Sequence, residues 1–201
     1  MAAIDNIHDH NIDVDNRVIY LQSHDDSGVD AGVEHRVADT FLKNIHILNT
    51  GGKLPITVEM SLIGGEWSAG MIIFEAIRES KAPVTIRVRG QAESMSSVIL
   101  QSADHRVVSK YSYFMCHYGS CYFDGDYQTM QTTSQWQKTI VDQMVDIYVE
   151  KMLKSKWAKD KYGIPTERQV KSFLRRKMKD GDWYMFGDEI VYYGFADEVV
   201  K

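Results

Sequence analysis

The chain has 201 residues, 44% of them hydrophobic and 25% charged, with a formal net charge of −5. That balance belongs to a soluble globular protein able to bury a full core, and the acidic excess argues against a general binder of nucleic acid or of anionic membranes. Cys116 and Cys121 are too few for a disulfide scaffold, which points to a reducing compartment and a cytoplasmic location.

Residues 1–16 carry Asp5, Asp9, Asp13 and Asp15 without an apolar signal core, and read as a polar, flexible N-terminal arm before one domain over 17–201. Arg17 to Leu21 is a β-branched and aromatic run, and His24 to Gly28 after it reads as a turn. Val33, Val37, Phe41, Leu42 and Ile45 recur near a helical period over 31–46, and Asn49 to Gly52 stops that helix. Pro55 to Met60 reads as the next strand, and Gly64-Gly65 as a tight turn into a helix that faces Met71, Phe74 and Ile77 inward. Pro83 to Val88 is a third strand, with Gly90 marking a second strand-to-helix turn. Val107-Val108 and Tyr113 to Cys116 follow as short strands. No apolar run, Met71 to Phe74 included, is long enough to span a bilayer. Strands alternating with helices imply βαβ units and a largely parallel sheet, an α/β fold.

Further on, Met130, Trp136, Ile140, Met144, Ile147, Tyr148 and Met152 place a long amphipathic helix at about 127–155. Gly163-Ile164-Pro165 breaks the pattern, and Thr166 to Met178 is a basic amphipathic segment. Arg168, Lys171, Arg175, Arg176, Lys177 and Lys179 are read first as a solvated helix face, with a docking surface for an acidic partner as the alternative.

Four local sequences occur in a fixed order: Gly64-Gly65 with Ala69-Gly70-Met71, then Gly90-Gln91-Ala92-Glu93-Ser94-Met95, then Met115-Cys116-His117, then Tyr193-Gly194-Phe195-Ala196-Asp197. Together they resemble the landmarks of Clp proteolytic subunits, from about Arg17 to Val200. The 29 positions from Gly65 to Ser94 fit that family without a gap. The resemblance implies a spiral of ββα units, shared with crotonase-type enzymes, and a protruding helical handle formed by the helix at 127–155.

It also implies a serine endopeptidase with Ser94 as nucleophile, His117 as base and Asp182 as the third triad member, and with the backbone amides of Gly65 and Met95 as the oxyanion hole. Such chemistry suits these residue types. A serine hydroxyl attacks only as a base takes its proton, an imidazole near neutral pKa can accept and return it, and a carboxylate fixes the tautomer. Asp180 is the alternative to Asp182, since Asp180-Gly181-Asp182 offers two carboxylates.

The family further implies heptameric rings, stacked in pairs around a chamber, and an AAA+ unfoldase that uses ATP to feed in peptide or unfolded protein. The N-terminal arm would gate the axial pore. This subunit is expected to need no cofactor or metal of its own, to bind no nucleic acid and to associate with no membrane.

Departures from the family are Glu93 and Ser96 beside the nucleophile, Ile63 in place of a proline before Gly-Gly, and an atypical basic insertion at about 156–180. Glu93 beside the serine would raise the pKa of His117 and shift activity to alkaline pH. Two further readings are a catalytically silent structural subunit of a mixed ring and a crotonase-like acyl-CoA enzyme. Cys116 adjoins His117, but adjacent residues of a regular strand face opposite ways, so it would not share the site. Cys116, His117 and Cys121 lack both finger spacing and a fourth zinc ligand.

Overall fold

The computed structural model describes residues 3–22, 32–122 and 124–200. The turn read at 24–28 lies outside the described residues. In chain order the elements are α1 Ala3–His10, β1 Ile12–Asp13, β2 Val18–Leu21, α2 His35–Thr50, β3 Ile56–Leu62, α3 Trp67–Arg78, β4 Val84–Glu93, α4 Met95–Leu100, β5 His105–Ser109 and β6 Tyr113–Cys116. They continue with α5 Tyr127–Met152, α6 Lys156–Tyr162, α7 Glu167–Lys179, β7 Trp183–Phe186, α8 Asp188–Tyr192 and β8 Glu198–Val200.

The sheet runs β1-β2-β3-β4-β5-β8, with β6 and β7 branching from β4. Strands β2, β3, β4, β5 and β8 are parallel, as the alternation of strands and helices requires. Strand β3 alternates buried and half-buried residues along its length, with Ile56, Val58, Met60 and Leu62 facing the core. The apolar stripe of α2 includes Phe41, Ile45 and Leu48, whereas Leu42 is exposed.

Strand β4 serves two partners. Thr85 to Val88 pair with β5, and Gln91 to Glu93 pair with β6. The strand therefore continues through Gly90, and the turn expected there falls at Ser94 instead. Gly90 interrupts the ladder between the two partners without ending the strand.

Over the described residues the N-terminal arm carries regular structure, α1 and β1. Strand β1 pairs antiparallel with β2, Ile12 is buried, and Asn44 donates to the His10 carbonyl at 2.7 Å. The polar composition concealed this because one buried isoleucine and a main-chain ladder are enough to dock so short a segment.

Helix α5 ends at Met152, three residues short of the expected limit, where Ser155 caps α6 through the Ala158 amide. The basic segment over 156–180 forms two helices, α6 and α7. Thr166 and Gln169 form a capping box at the start of α7. Lys171 and Arg175 of α7 pair with Asp146 and Asp142 of α5, so part of the basic face is neutralised within the chain. Lys161, Arg176 and Lys177 lie over the rings of Phe173, Trp157 or Trp183.

The closing Tyr193–Asp197 landmark has a structural task. Arg106, mostly buried, donates to Asp197, to Gln101 Oε1 at 2.8 Å and to the Gly194 carbonyl at 2.8 Å. Burial alone would raise the Asp197 carboxyl, but Arg106 outweighs it and holds the group below its ordinary value.

Candidate active site

Strand register brings three distant segments together. Glu93 is paired with Met115, and the Ser94 amide donates to the Met115 carbonyl at 2.9 Å, so the end of β4 lies beside the end of β6. Cys116 is in turn paired with Trp183 of β7, antiparallel. One step beyond that pair, His117 and Asp182 are opposite each other. Asp180 is two residues further along and caps the C-terminus of α7.

Side-chain geometry follows from this register. His117 Nε2 is 2.8 Å from Ser94 Oγ, and His117 Nδ1 is 3.2 Å from Asp182 Oδ1. A carboxylate has no proton to give, so Nδ1 carries the proton and Nε2 accepts from the serine hydroxyl. The second contact is at the long end of N–H···O bonding, and the Asp182 side chain is 52% exposed.

Ser94 begins α4, yet its side chain makes no capping bond there. Its hydroxyl goes to His117 instead. Its backbone has φ 50° and ψ −120°, a conformation that costs a non-glycine residue about 1–3 kcal/mol and persists only where surrounding contacts hold it. This sharp turn lifts Oγ out of the strand toward the base.

Gly64 and Gly65 form the facing wall, with φ of 105° and 141°. The Val33 amide donates to the Gly64 carbonyl, and the Glu66 amide to the Val33 carbonyl at 2.8 Å, which leaves the Gly65 N–H outside this bridge. A Cβ on Gly65 would collide with the Val33 backbone. Met95 is the first residue of α4, so its N–H precedes the helical ladder. Gly65, Met95, Ser94 and His117 all line one cavity of about 690 Å3. Its apolar wall is Val98 of α4 with Trp136, Ile140 and Met144 of α5.

Glu93 does not face this cavity as a partner of the serine. With Gln91 it lies on the other face of β4, where the Tyr113 hydroxyl donates to Gln91 Oε1 at 2.6 Å. Burial first and then Glu93 push that phenol above its ordinary value. Cys116 is fully buried, and burial drives its thiol far up, which removes it as a nucleophile. Cys121 is exposed and lines the cavity. Among the described residues no group of three or more His, Cys, Asp or Glu is placed to hold a metal ion.

Two neighbours of the site were not among the expected site residues. Gly64 abuts the serine: a Cβ there would lie 2.7 Å from Ser94 Cβ and 3.2 Å from the Met95 nitrogen. Tyr118, next to the base, donates to the Arg175 carbonyl of α7 at 2.9 Å and ties the His117 loop to that helix. The Gly64-Gly65 landmark pointed to the turn but not to the approach of Gly64 to the serine, and only adjacency to His117 hinted at Tyr118.

A serine hydroxyl in contact with an imidazole, an imidazole in contact with a carboxylate, and a glycine-turn residue and a helix-start residue lining the same cavity are the parts that acyl transfer would need. A family model described as Clp protease matches residues 28–201. Over 171 residues the chain is 28% identical to the ATP-dependent Clp protease proteolytic subunit of Deinococcus radiodurans, covering 84% of this chain and 76% of that protein. The structure of a ClpP1 mutant from Listeria monocytogenes matches with a TM-score of 0.73 at 17% identity, covering 94% of this chain and 93% of the other. Among the described residues no helix is long and apolar enough to cross a membrane. The chain belongs to the Clp protease family and has the α/β fold of a ClpP-type subunit.

Proposed function

We propose that this chain is a serine endopeptidase that hydrolyses peptide bonds of unfolded proteins or peptides inside a chamber built from its own copies. The observation that carries the reading is the continuous contact Ser94 Oγ to His117 Nε2 at 2.8 Å and His117 Nδ1 to Asp182 Oδ1 at 3.2 Å.

In this mechanism Ser94 Oγ attacks the scissile carbonyl as its proton passes to His117 Nε2. Asp182 holds the Nδ1 proton and stabilises the imidazolium. Negative charge on the carbonyl oxygen is received by the N–H groups of Gly65 and Met95. As the tetrahedral intermediate collapses, His117 returns its proton to the leaving amine, and an acyl ester on Ser94 remains. Water, deprotonated by His117, then releases the acid and restores the serine. No cofactor enters these steps.

Exposed apolar side chains on the first half of α5 support assembly: Tyr127, Met130 and Trp136 are about half exposed or more, which favours covering by a second copy. The proposed assembly is a heptameric ring, stacked in pairs, supplied by an ATP-driven AAA+ unfoldase in the cytoplasm. The named relative from Deinococcus is an ATP-dependent subunit, which supports that partnership.

A fluorophosphonate probe tests the chemistry. Labelling of the wild type and none of Ser94→Ala is the expected result. An assembled wild type that takes no label identifies a catalytically silent structural subunit instead. Native mass tests the chamber, and a stable monomer counts against it.

A further inference from the structure

Behind the nucleophile lie hydroxyls that never reach the cavity. Ser96, Ser97 and Tyr148 are fully buried. Ser97 Oγ is 2.6 Å from the Ser94 carbonyl and 2.6 Å from the Tyr148 hydroxyl. A carbonyl can only accept, so the single Ser97 proton is committed to Ser94, and Tyr148 must donate the second bond. Burial pushes the Tyr148 phenol well above its ordinary value, so its proton stays in place. Edge contacts with Phe114 and Phe195, at centroid distances of 6.2 and 5.5 Å, fix where that ring sits. The result is a polarised chain from α5 to the nucleophile turn: Tyr148 O–H, Ser97 O–H, Ser94 C=O.

The Ser94 carbonyl belongs to the same peptide unit as the Met95 N–H. That unit is planar and trans, so its C=O and N–H point in opposite directions. Drawing the oxygen back toward α4 therefore aims the amide hydrogen outward, to the side where the cavity lies. Backbone bonds alone hold this oxygen at 3.0 Å from the Ser97 amide and 3.4 Å from the Val98 amide. The hydroxyl bond is shorter than either. On the other side of the turn, Ser96 Oγ lies 2.7 Å from both the Glu93 and Leu62 carbonyls and pins the strand end. An unfavourable Ser94 conformation needs such restraint, since relaxing φ and ψ would rotate this peptide first.

We propose that Ser97 and Tyr148 are positioning residues that aim the Met95 amide at the oxyanion, so that a buried tyrosine of α5 tunes catalysis without touching substrate. The inference rests on the serine-peptidase reading of this site. It separates these two residues from ordinary core packing, because an apolar pair of the same shape would fill the space and leave the carbonyl held by its two main-chain bonds alone.

The test uses Tyr148→Phe, Ser97→Ala and the double variant in the assembled protein, with a small fluorogenic peptide and a peptide boronate. Each single change is expected to lower kcat about tenfold, a fraction of the 10²–10³ lost when an oxyanion donor is removed outright. KM and the pH at which the base titrates should stay unchanged, and the boronate Ki should rise by the factor that kcat/KM falls. The double variant should lose no more than the worse single one, since both break one chain. Wild-type kcat in the double variant, or a lowered kcat with unchanged boronate Ki, overturns the proposal. A crystal structure of the double variant, which orphans no buried hydroxyl, reads the peptide directly. A rotated Ser94–Met95 unit supports the proposal and an unmoved one sinks it. This readout needs no activity, so a wild type without hydrolysis would refute the peptidase reading separately.

Discussion

Replacing Gly64 by alanine places one methyl group where the structure leaves no room. The ideal Cβ would stand 2.7 Å from Ser94 Cβ, 2.9 Å from the Glu93 carbonyl oxygen and 3.2 Å from the Met95 nitrogen. Carbon atoms in contact sit about 3.7 Å apart, so Ser94 or the glycine turn must retreat by about 1 Å. A misplacement of that size at a reacting group costs about 10²-fold in rate. The same methyl intrudes beside the Met95 amide, so the loss in kcat/KM should be about 10²-fold or more. Positive φ contributes separately: at 105°, alanine is strained by about 1–3 kcal/mol whatever its neighbours. Gly52→Ala supplies the control, because Gly52 has φ 120° and nothing within 4 Å of its ideal Cβ. Both variants should melt earlier, Gly64→Ala by more because it adds the collision to the strain, while only Gly64→Ala should lose peptide hydrolysis and fluorophosphonate labelling at a temperature where both are folded. Equal activities in the two variants would refute the collision argument.

The remaining expectations concern groups at increasing distance from the serine. Asp182→Asn should lower kcat by about 10²–10⁴-fold through loss of the correct imidazole tautomer, whereas Asp180→Asn, at the end of α7, should leave peptide hydrolysis near wild type. Asp142 is held at about 2 by hydrogen bonds from Lys138 and then Arg175. Its folded pKa is below its unfolded value, so its contribution is present above pH of about 4 and fades as pH falls toward about 2. Asp142→Asn should therefore flatten the dependence of Tm on pH in that window. Asp197→Ala leaves the Arg106 guanidinium buried without its carboxylate, and denaturant unfolding should show a loss of about 2–3 kcal/mol. That is less than a fully buried pair would show, because Asp197 is about one-third exposed.

Sequence patterning reached the strands and helices whose side chains alternate or recur, such as β3, α3 and α5. It missed β7 and β8, because Trp183 to Phe186 and Glu198 to Val200 are short and are defined by main-chain pairing rather than by an apolar period. Gly90 was misleading for a related reason: a glycine inside a strand resembles a turn unless the partner strands are known. The separation of Ser94, His117 and Asp182 along the chain gave no distance. Only the registers Glu93 to Met115 and Cys116 to Trp183 show why Asp182, and not Asp180, stands opposite His117. Glu93 adjoins the serine in sequence, yet strand alternation sends it with Gln91 to the other face of β4. That alternation was available in advance for Cys116 and applied equally one strand away.

Helix α5 changes character along its length in a way that bears on the site. Met144, Val145, Tyr148, Val149 and Met152 are buried, while Tyr127, Met130 and Trp136 are exposed. Between the two halves, Asp142 and Asp146 are clamped by Arg175 and Lys171 of α7, and the Arg175 carbonyl receives the Tyr118 hydroxyl next to His117. The cavity wall of Trp136, Ile140 and Met144 lies across this same transition. One end of that wall is thus fixed to the core and to the His117 loop, and the other end belongs to the exposed part of the helix. In the assembly proposed above, a second copy packed against Trp136 would set the width of the cavity while Tyr148 and α7 keep the Ser94–His117 contact in place, so substrate access would respond to assembly without that contact being remade.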